Sequence, residues 1–224
     1  MSAALLAALS GCGSGSDPSP PTGVDELIIP TPSPRPGDFV DTIDNPLLAL
    51  VADNVVTVFE VTGDVDGSTR SFFSEAGPDI DGIVTTAVHQ QDQVGDVSGG
   101  DAAVVDVAID YYAQDIRGNV WWFGREGEWE AGVDGAEAGL FMAAHPRFGD
   151  GYRSAPGLVA EVAAVDSTVE GPSGSYDDVV VIDTTDADSR VERSYYAEGV
   201  GLVHQETTVG VSTVVLDLVA RPQG

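Results

Sequence analysis

The chain has 224 residues, 42% of them hydrophobic, and carries 37 acidic against 9 basic residues for a formal net charge of -28. That length supports one sizeable core, and that charge repels nucleic-acid phosphates, which excludes nucleic acid as a partner. Every basic residue is Arg, and the single cysteine, Cys12, rules out an intramolecular disulfide.

The apolar run from Ala3 to Leu9 leads into Leu9-Ser10-Gly11-Cys12. This pattern resembles the lipobox of bacterial lipoproteins, in which the cysteine receives a diacylglycerol and the signal peptide is cut before it. Residues 1–11 are accordingly expected to be a lipoprotein signal peptide with Cys12 as the lipidation site. The run is short and no Arg or Lys precedes it, so the expected start of translation lies upstream of Met1. Residues 12–37, rich in Gly, Ser and Pro, form a lipid-anchored flexible linker. A single β-rich globular domain is predicted over 38–224.

Within that domain, Asn45-Pro46 breaks any helix and predicts an opening turn, with one short helical turn at 47–51. β-branched alternation then predicts strands at 54–61, 68–74, 83–91 and 102–115. The turn Arg117-Gly118-Asn119 returns the chain into a strand at 120–125, a hairpin that brings Tyr111 and Tyr112 near Trp121 and Trp122. A Gly-rich loop follows at 131–139, and residues 140–153 have no regular period. Further strands are predicted at 158–170, 177–185, 190–198, 201–208 and 211–220. Short turns between successive strands make the pairing antiparallel. The predicted fold is therefore mainly β, a single strongly curved sheet, half-closed or closed like a barrel, with a β-sandwich as the alternative.

Nine of the sixteen aromatic residues lie between Tyr111 and Tyr152. Large rings concentrate buried area, so a core or a ligand cleft belongs on this segment. The candidate ligand-binding residues are Trp121, Trp122, Trp129, Phe141, His145, Phe148 and Tyr152. In an extended strand Trp121 and Phe123 point one way and Trp122 the other, so at least one of these rings serves the core. Motifs for serine, zinc and phosphate chemistry are missing, and no cofactor is implied. His89 and His204 fall in predicted strands, leaving His145 as the histidine with a candidate role. Asp79-x-Asp81-Gly82 lacks the glutamate that closes a calcium loop and is better read as a turn. Glu130, Asp134 and Glu137 supply oxygens for loose calcium binding, without fixed spacing.

The segments Asp115-x-Arg117-Gly118-Asn119-Val120-Trp121-Trp122-Phe123-Gly124, Glu128-Trp129-Glu130-Ala131-Gly132-Val133-Asp134-Gly135-Ala136 and Gly149-Asp150-x-Tyr152-Arg153 resemble a family of bacterial secreted proteins and lipoproteins. The similarity continues through Gly174-Ser175-Tyr176-Asp177-Asp178-Val179 to Tyr195-Tyr196-Ala197-x-Gly199-Val200-Gly201-Leu202-Val203. It implies an exported, mostly β domain and assigns it no activity. After Arg153 the acidic, Tyr-bearing segment of that family is shortened here to Ser154-Ala155-Pro156-Gly157. The last of these stretches is also similar to envelope proteins with lipoprotein-carrier-like half barrels, which implies a curved sheet.

These readings converge on an extracytoplasmic lipoprotein, anchored to the membrane through its N-terminal lipid and non-enzymatic. Its expected partner is an apolar or amphipathic, lipid-like small molecule or an envelope protein. The alternatives are an envelope hydrolase, which needs His145 to converge with carboxylates such as Asp134, Glu137 and Asp150 in one cleft, and a purely structural surface module.

Overall fold

In the computed structural model, the described residues are 35–49, 56–63, 68–95, 102–210 and 214–220. Cys12, the expected signal peptide and nearly all of the expected linker lie outside them. The described chain contains one 3-10 turn, Pro36–Asp38, and fourteen strands. These are β1 (Phe39–Val40), β2 (Thr57–Gly63), β3 (Ser68–Ile80), β4 (Ile83–Val94), β5 (Ala103–Asp115), β6 (Val120–Arg125) and β7 (Trp129–Glu130). The second half supplies β8 (Gly139–Met142), β9 (Gly151–Ala155), β10 (Leu158–Gly171), β11 (Gly174–Thr185), β12 (Val191–Ala197), β13 (Gly201–Val209) and β14 (Val214–Ala220).

All fourteen belong to one antiparallel sheet in the order β7-β6-β5-β4-β3-β2-β14-β13-β12-β11-β10-β9, with β1 added to β5 and β8 to β6. Apart from β1 and β8, each half is a meander, because short connections favour the pairing of sequence neighbours. Among the described residues two steps join strands far apart in sequence: β1 onto β5, where Phe39 pairs with Asp115, and β14 onto β2, where Leu218 pairs with Phe59 and Leu216 with Val61. The turn Asp81-Gly82 illustrates the local chemistry. Both residues have left-handed φ, 51° and 80°, and the Gly82 amide donates to Asp79 Oδ1 at 2.9 Å. Two consecutive left-handed residues match the right-handed twist of the flanking strands.

The sheet curls until its two ends approach. Gly139 on β8 packs against the backbone of Ser154 and Ala155 on β9 so tightly that a Cβ there would lie 2.3 Å from the Ser154 carbonyl. Among the described residues no ladder joins β8 to β9, so the curl stops short of a hydrogen-bonded barrel. The inside is filled by two apolar clusters. The larger joins Ile80, Ile83, Trp121, Phe123, Met142, Val162 and Ile182, and the smaller joins Phe59, Val61, Val179, Val203, Leu216 and Leu218.

Most predicted strands fall within a few residues of those observed. The exception is 140–153, expected to be irregular, which contains β8 and β9. Both are short and neither alternates cleanly. Their burial comes from the seam and from pairing with β6 and β10, which are tertiary effects. The short helical turn expected at 47–51 is a non-helical turn as far as it is described.

Candidate functional site

The aromatic hairpin is built around Asp115 at the end of β5. Its Oδ1 accepts from the amides of Arg117 and Asn119 at 2.8 and 3.0 Å. Its Oδ2 accepts from Asn119 Nδ2 and from Trp121 Nε1, both at 2.9 Å. One carboxylate thus shapes the Arg117-Gly118-Asn119 turn and anchors the first indole.

The preceding Gln114 does the same for the N-terminal segment, its Oε1 accepting from the amides of Asp44 and Asn45 at 2.9 Å. Asn45 in turn donates through Nδ2 to the Gly118 carbonyl at 2.9 Å and accepts from the Leu47 amide at 2.9 Å. These bonds hold the segment carrying Leu48 and Ala49 across the inside of the curl. There it forms one wall of a cavity.

That cavity has a volume of about 120 Å³ and is partly open to solvent. Thr57 and Phe59 of β2, Phe72, Phe73 and Ser74 of β3, and Val88 of β4 line one side. Tyr112 and Asp110 of β5, the latter paired directly with Val88, continue that lining, and Phe141 of β8, Tyr196 of β12 and Leu202 of β13 complete it. Strands β5 and β12 are six places apart in the sheet, so only the curl can bring them to one cavity. An apolar concavity with few polar groups is the usual form of a small-molecule site.

Among the described residues, Asp110 is the only charged one in this wall. It is buried, and Arg125 grips it with Nε on Oδ1 at 2.7 Å and Nη2 on Oδ2 at 2.9 Å. Burial pushes the Asp110 carboxyl above its usual range, and Arg125 pulls it back. The guanidinium also lies 5.2 Å from the centre of the Trp122 ring, a cation–π contact that helps fix its plane. Burial likewise raises the phenols of Tyr112 and Tyr196, which stay neutral donors at ordinary pH.

Behind this pair stands Glu192 of β12. Burial raises its carboxyl against the opposing pull of Arg70, Arg190 and Arg125. Gln205 Nε2 donates to Glu192 Oε1 at 2.9 Å. Arg70 is itself held by Asp92 through two bonds of 2.7 Å.

The residues singled out from sequence are dispersed. Phe141 lines the cavity. Trp122 stands one ring behind it, stacked on Tyr112 at 6.0 Å and edge-on to Phe141 at 6.2 Å. Trp129 is half-buried and packs edge-on against Trp122 at 5.6 Å. Trp121 is only 1% exposed. Both faces of β6 are covered, since Phe39 closes over Phe123 at 5.3 Å while Tyr112, Trp129 and Phe141 surround Trp122.

Tyr152 is buried and its hydroxyl has no partner among the described residues. Burial raises its phenol too. Phe148, 75% exposed, and His145, also exposed, sit in the β8–β9 connection outside the cavity wall. Glu130, Asp134 and Glu137 are exposed, with Glu137 4.0 Å from Arg153. Among the described residues no group of three His, Cys, Asp or Glu side chains is placed to hold a metal ion. Asp150 accepts from the Arg147 amide at 2.9 Å, and none of Asp134, Glu137, His145 and Asp150 lines the cavity.

His89 bonds Glu75 at 2.8 Å and stacks on Phe73, and His204 bonds Asp217 at 2.7 Å between β13 and β14. Sequence reasoning missed Asp110 and Arg125. Half of the signal was present: Asp110 shares strand parity with Tyr112, but counting back from the turn places Gly124 opposite it, and only the register shift between Tyr111 and Tyr112 brings Arg125 there.

No protein-family profile matches the chain, and no curated protein matches it. Among solved structures, an exported protein of Bacteroides fragilis described as having a YmcC-like fold superposes with a TM-score of 0.44 at 10% identity, over 79% of this chain and 99% of that one. A Parabacteroides distasonis protein described as a lipoprotein gives 0.42 at 13% identity, over 80% and 99%. At those scores the likenesses carry no argument about this chain. Its class rests on its own geometry: one curled antiparallel sheet enclosing an apolar cavity.

Proposed function

We propose that this protein is a non-enzymatic binding protein of the cell envelope, tethered outside the membrane by a lipid on Cys12, that takes an apolar or amphipathic small molecule into the cavity between β5 and β12. The observation that carries the reading is the cavity itself, with aromatic and aliphatic side chains on nearly every side. Dry apolar cavities of this order accept single-ring ligands. The lipobox-like Leu9-Ser10-Gly11-Cys12 and the resemblance to secreted proteins and lipoproteins support the location. The hydrolase reading finds no support in the cavity wall, which among the described residues contains no histidine and one carboxylate already paired with Arg125.

Titration of the isotope-labelled domain with toluene, followed by amide and aromatic shifts, tests the reading. The expected result is saturable shifts centred on Phe72, Tyr112, Phe141 and Leu202, abolished in Leu202→Trp, which fills the space. Shifts that never saturate, or that survive the filling substitution unchanged, would refute it.

A further inference from the structure

We infer that the preferred ligand carries a neutral hydroxyl on its buried end, and that Asp110 receives it. This rests on the cavity being a ligand site. Among the described residues of the wall, aliphatic and aromatic groups dominate and one charged group, Asp110, lies among them. A carboxylate beside an apolar cavity is costly unless its acceptor capacity is used.

Arg125 and Trp122 use most of it. Each Asp110 oxygen accepts one bond from the guanidinium, at 2.7 and 2.9 Å, and a carboxylate has about four lone-pair positions. The Trp122 side chain engages a further position, so one acceptor position is left for something in the cavity. The charge on that something follows from the same pair. Arg125 already neutralises Asp110 and lies against it, so an ammonium group brought to the carboxylate would also meet the guanidinium. A ligand anion would meet the carboxylate directly. A neutral donor gains a charge-assisted hydrogen bond without either repulsion.

Size restricts the rest of the buried end. A volume of about 120 Å³ holds a single ring or a short branched alkyl group, and anything longer has to leave through the open side. The ligand class is thus a phenol or a compact alcohol, alone or at the end of a longer chain.

Phenol and toluene are nearly the same shape and differ in a hydroxyl for a methyl, so their binding to the wild-type domain isolates this contact; benzylamine supplies the cationic case. Phenol should bind about tenfold tighter than toluene, since a hydrogen bond to a charged group contributes roughly 1.5 kcal/mol or more, and benzylamine should be the weakest. In the double variant Asp110→Leu with Arg125→Met, toluene binding should persist and the preference for phenol vanish. Replacing a buried pair together by apolar groups is commonly tolerated, and a melting curve verifies folding. If that variant does not fold, the wild-type comparison decides by itself. Toluene equal to or tighter than phenol, or benzylamine tighter than phenol, overturns this inference while leaving the cavity reading in place. Saturable binding by none of the three overturns the cavity reading and the inference together.

Discussion

The seam between β8 and β9 offers a sharp test of the curl, through Gly139→Ala. Gly139 does not have a left-handed backbone, so alanine is conformationally acceptable there. Taken alone, that change would stabilise the protein by about 0.4–1 kcal/mol through the unfolded chain. The tertiary structure reverses the sign. The new Cβ would lie 2.3 Å from the carbonyl carbon and oxygen of Ser154 and 2.8 Å from the Ala155 nitrogen. These are backbone atoms of a paired strand and cannot rotate away.

Overpacking of this kind costs about 1–3 kcal/mol, and contact with backbone places it at the upper end. With a net loss of about 2 kcal/mol and roughly 2–4 °C per kcal/mol for a domain of this size, the melting temperature should fall by about 4–8 °C. Gly37→Ala is the control, because nothing lies within 4 Å of its Cβ position and its effect should stay within about 0.5 kcal/mol. Since Phe141 on β8 lines the cavity, Gly139→Ala should also weaken toluene binding. Differential scanning calorimetry of both variants settles the matter. A Gly139→Ala protein as stable as wild type or more so would mean that β8 does not rest on β9.

Two further outcomes follow from the same chemistry. Burial raises the Glu192 carboxyl above its ordinary value of 4.5, so between that value and the raised one the folded state holds the proton more firmly than the unfolded state. Stability from this group is full below about pH 4.5 and is lost as pH rises through the folded value. Glu192→Gln should therefore be more stable than wild type at pH 7, with the advantage gone by about pH 4 in parallel urea titrations; a variant less stable at pH 7 would make Glu192 a net charge partner of Arg70 and Arg125. Mass spectrometry of the mature N-terminus should find Cys12 as the first residue bearing a diacylglycerol, and an unmodified Cys12 still joined to Gly11 would remove the anchor.

Alternation and turn chemistry made the strands readable. β6 was predicted to the residue because Arg117-Gly118-Asn119 fixes its start and its residues are apolar and β-prone. β8 and β9 escaped because a short strand whose burial comes from the seam and from neighbouring strands, rather than from its own alternation, has no local signature. The functional candidates followed a similar division. Of the aromatic candidates, Phe141 lines the cavity and Trp122 packs beside it. The remaining wall came from Phe59, Phe72, Tyr196 and Leu202, on strands distant in sequence that no local pattern connects.

The sequence by itself determined the strand content, the antiparallel meander and the acidic surface, because period-2 hydrophobicity, turn residues and charge are local properties. Only the tertiary structure decided which strands face one another across the curl, and with them the cavity, the paired state of Asp110 and the seam at Gly139. Those depend on the cumulative twist of a long sheet and on the closing pair β2–β14, where residues about 160 positions apart meet. The aromatic hairpin was visible from the start, but whether its rings would close a core or open a site was settled by what the other half of the sheet brought against them.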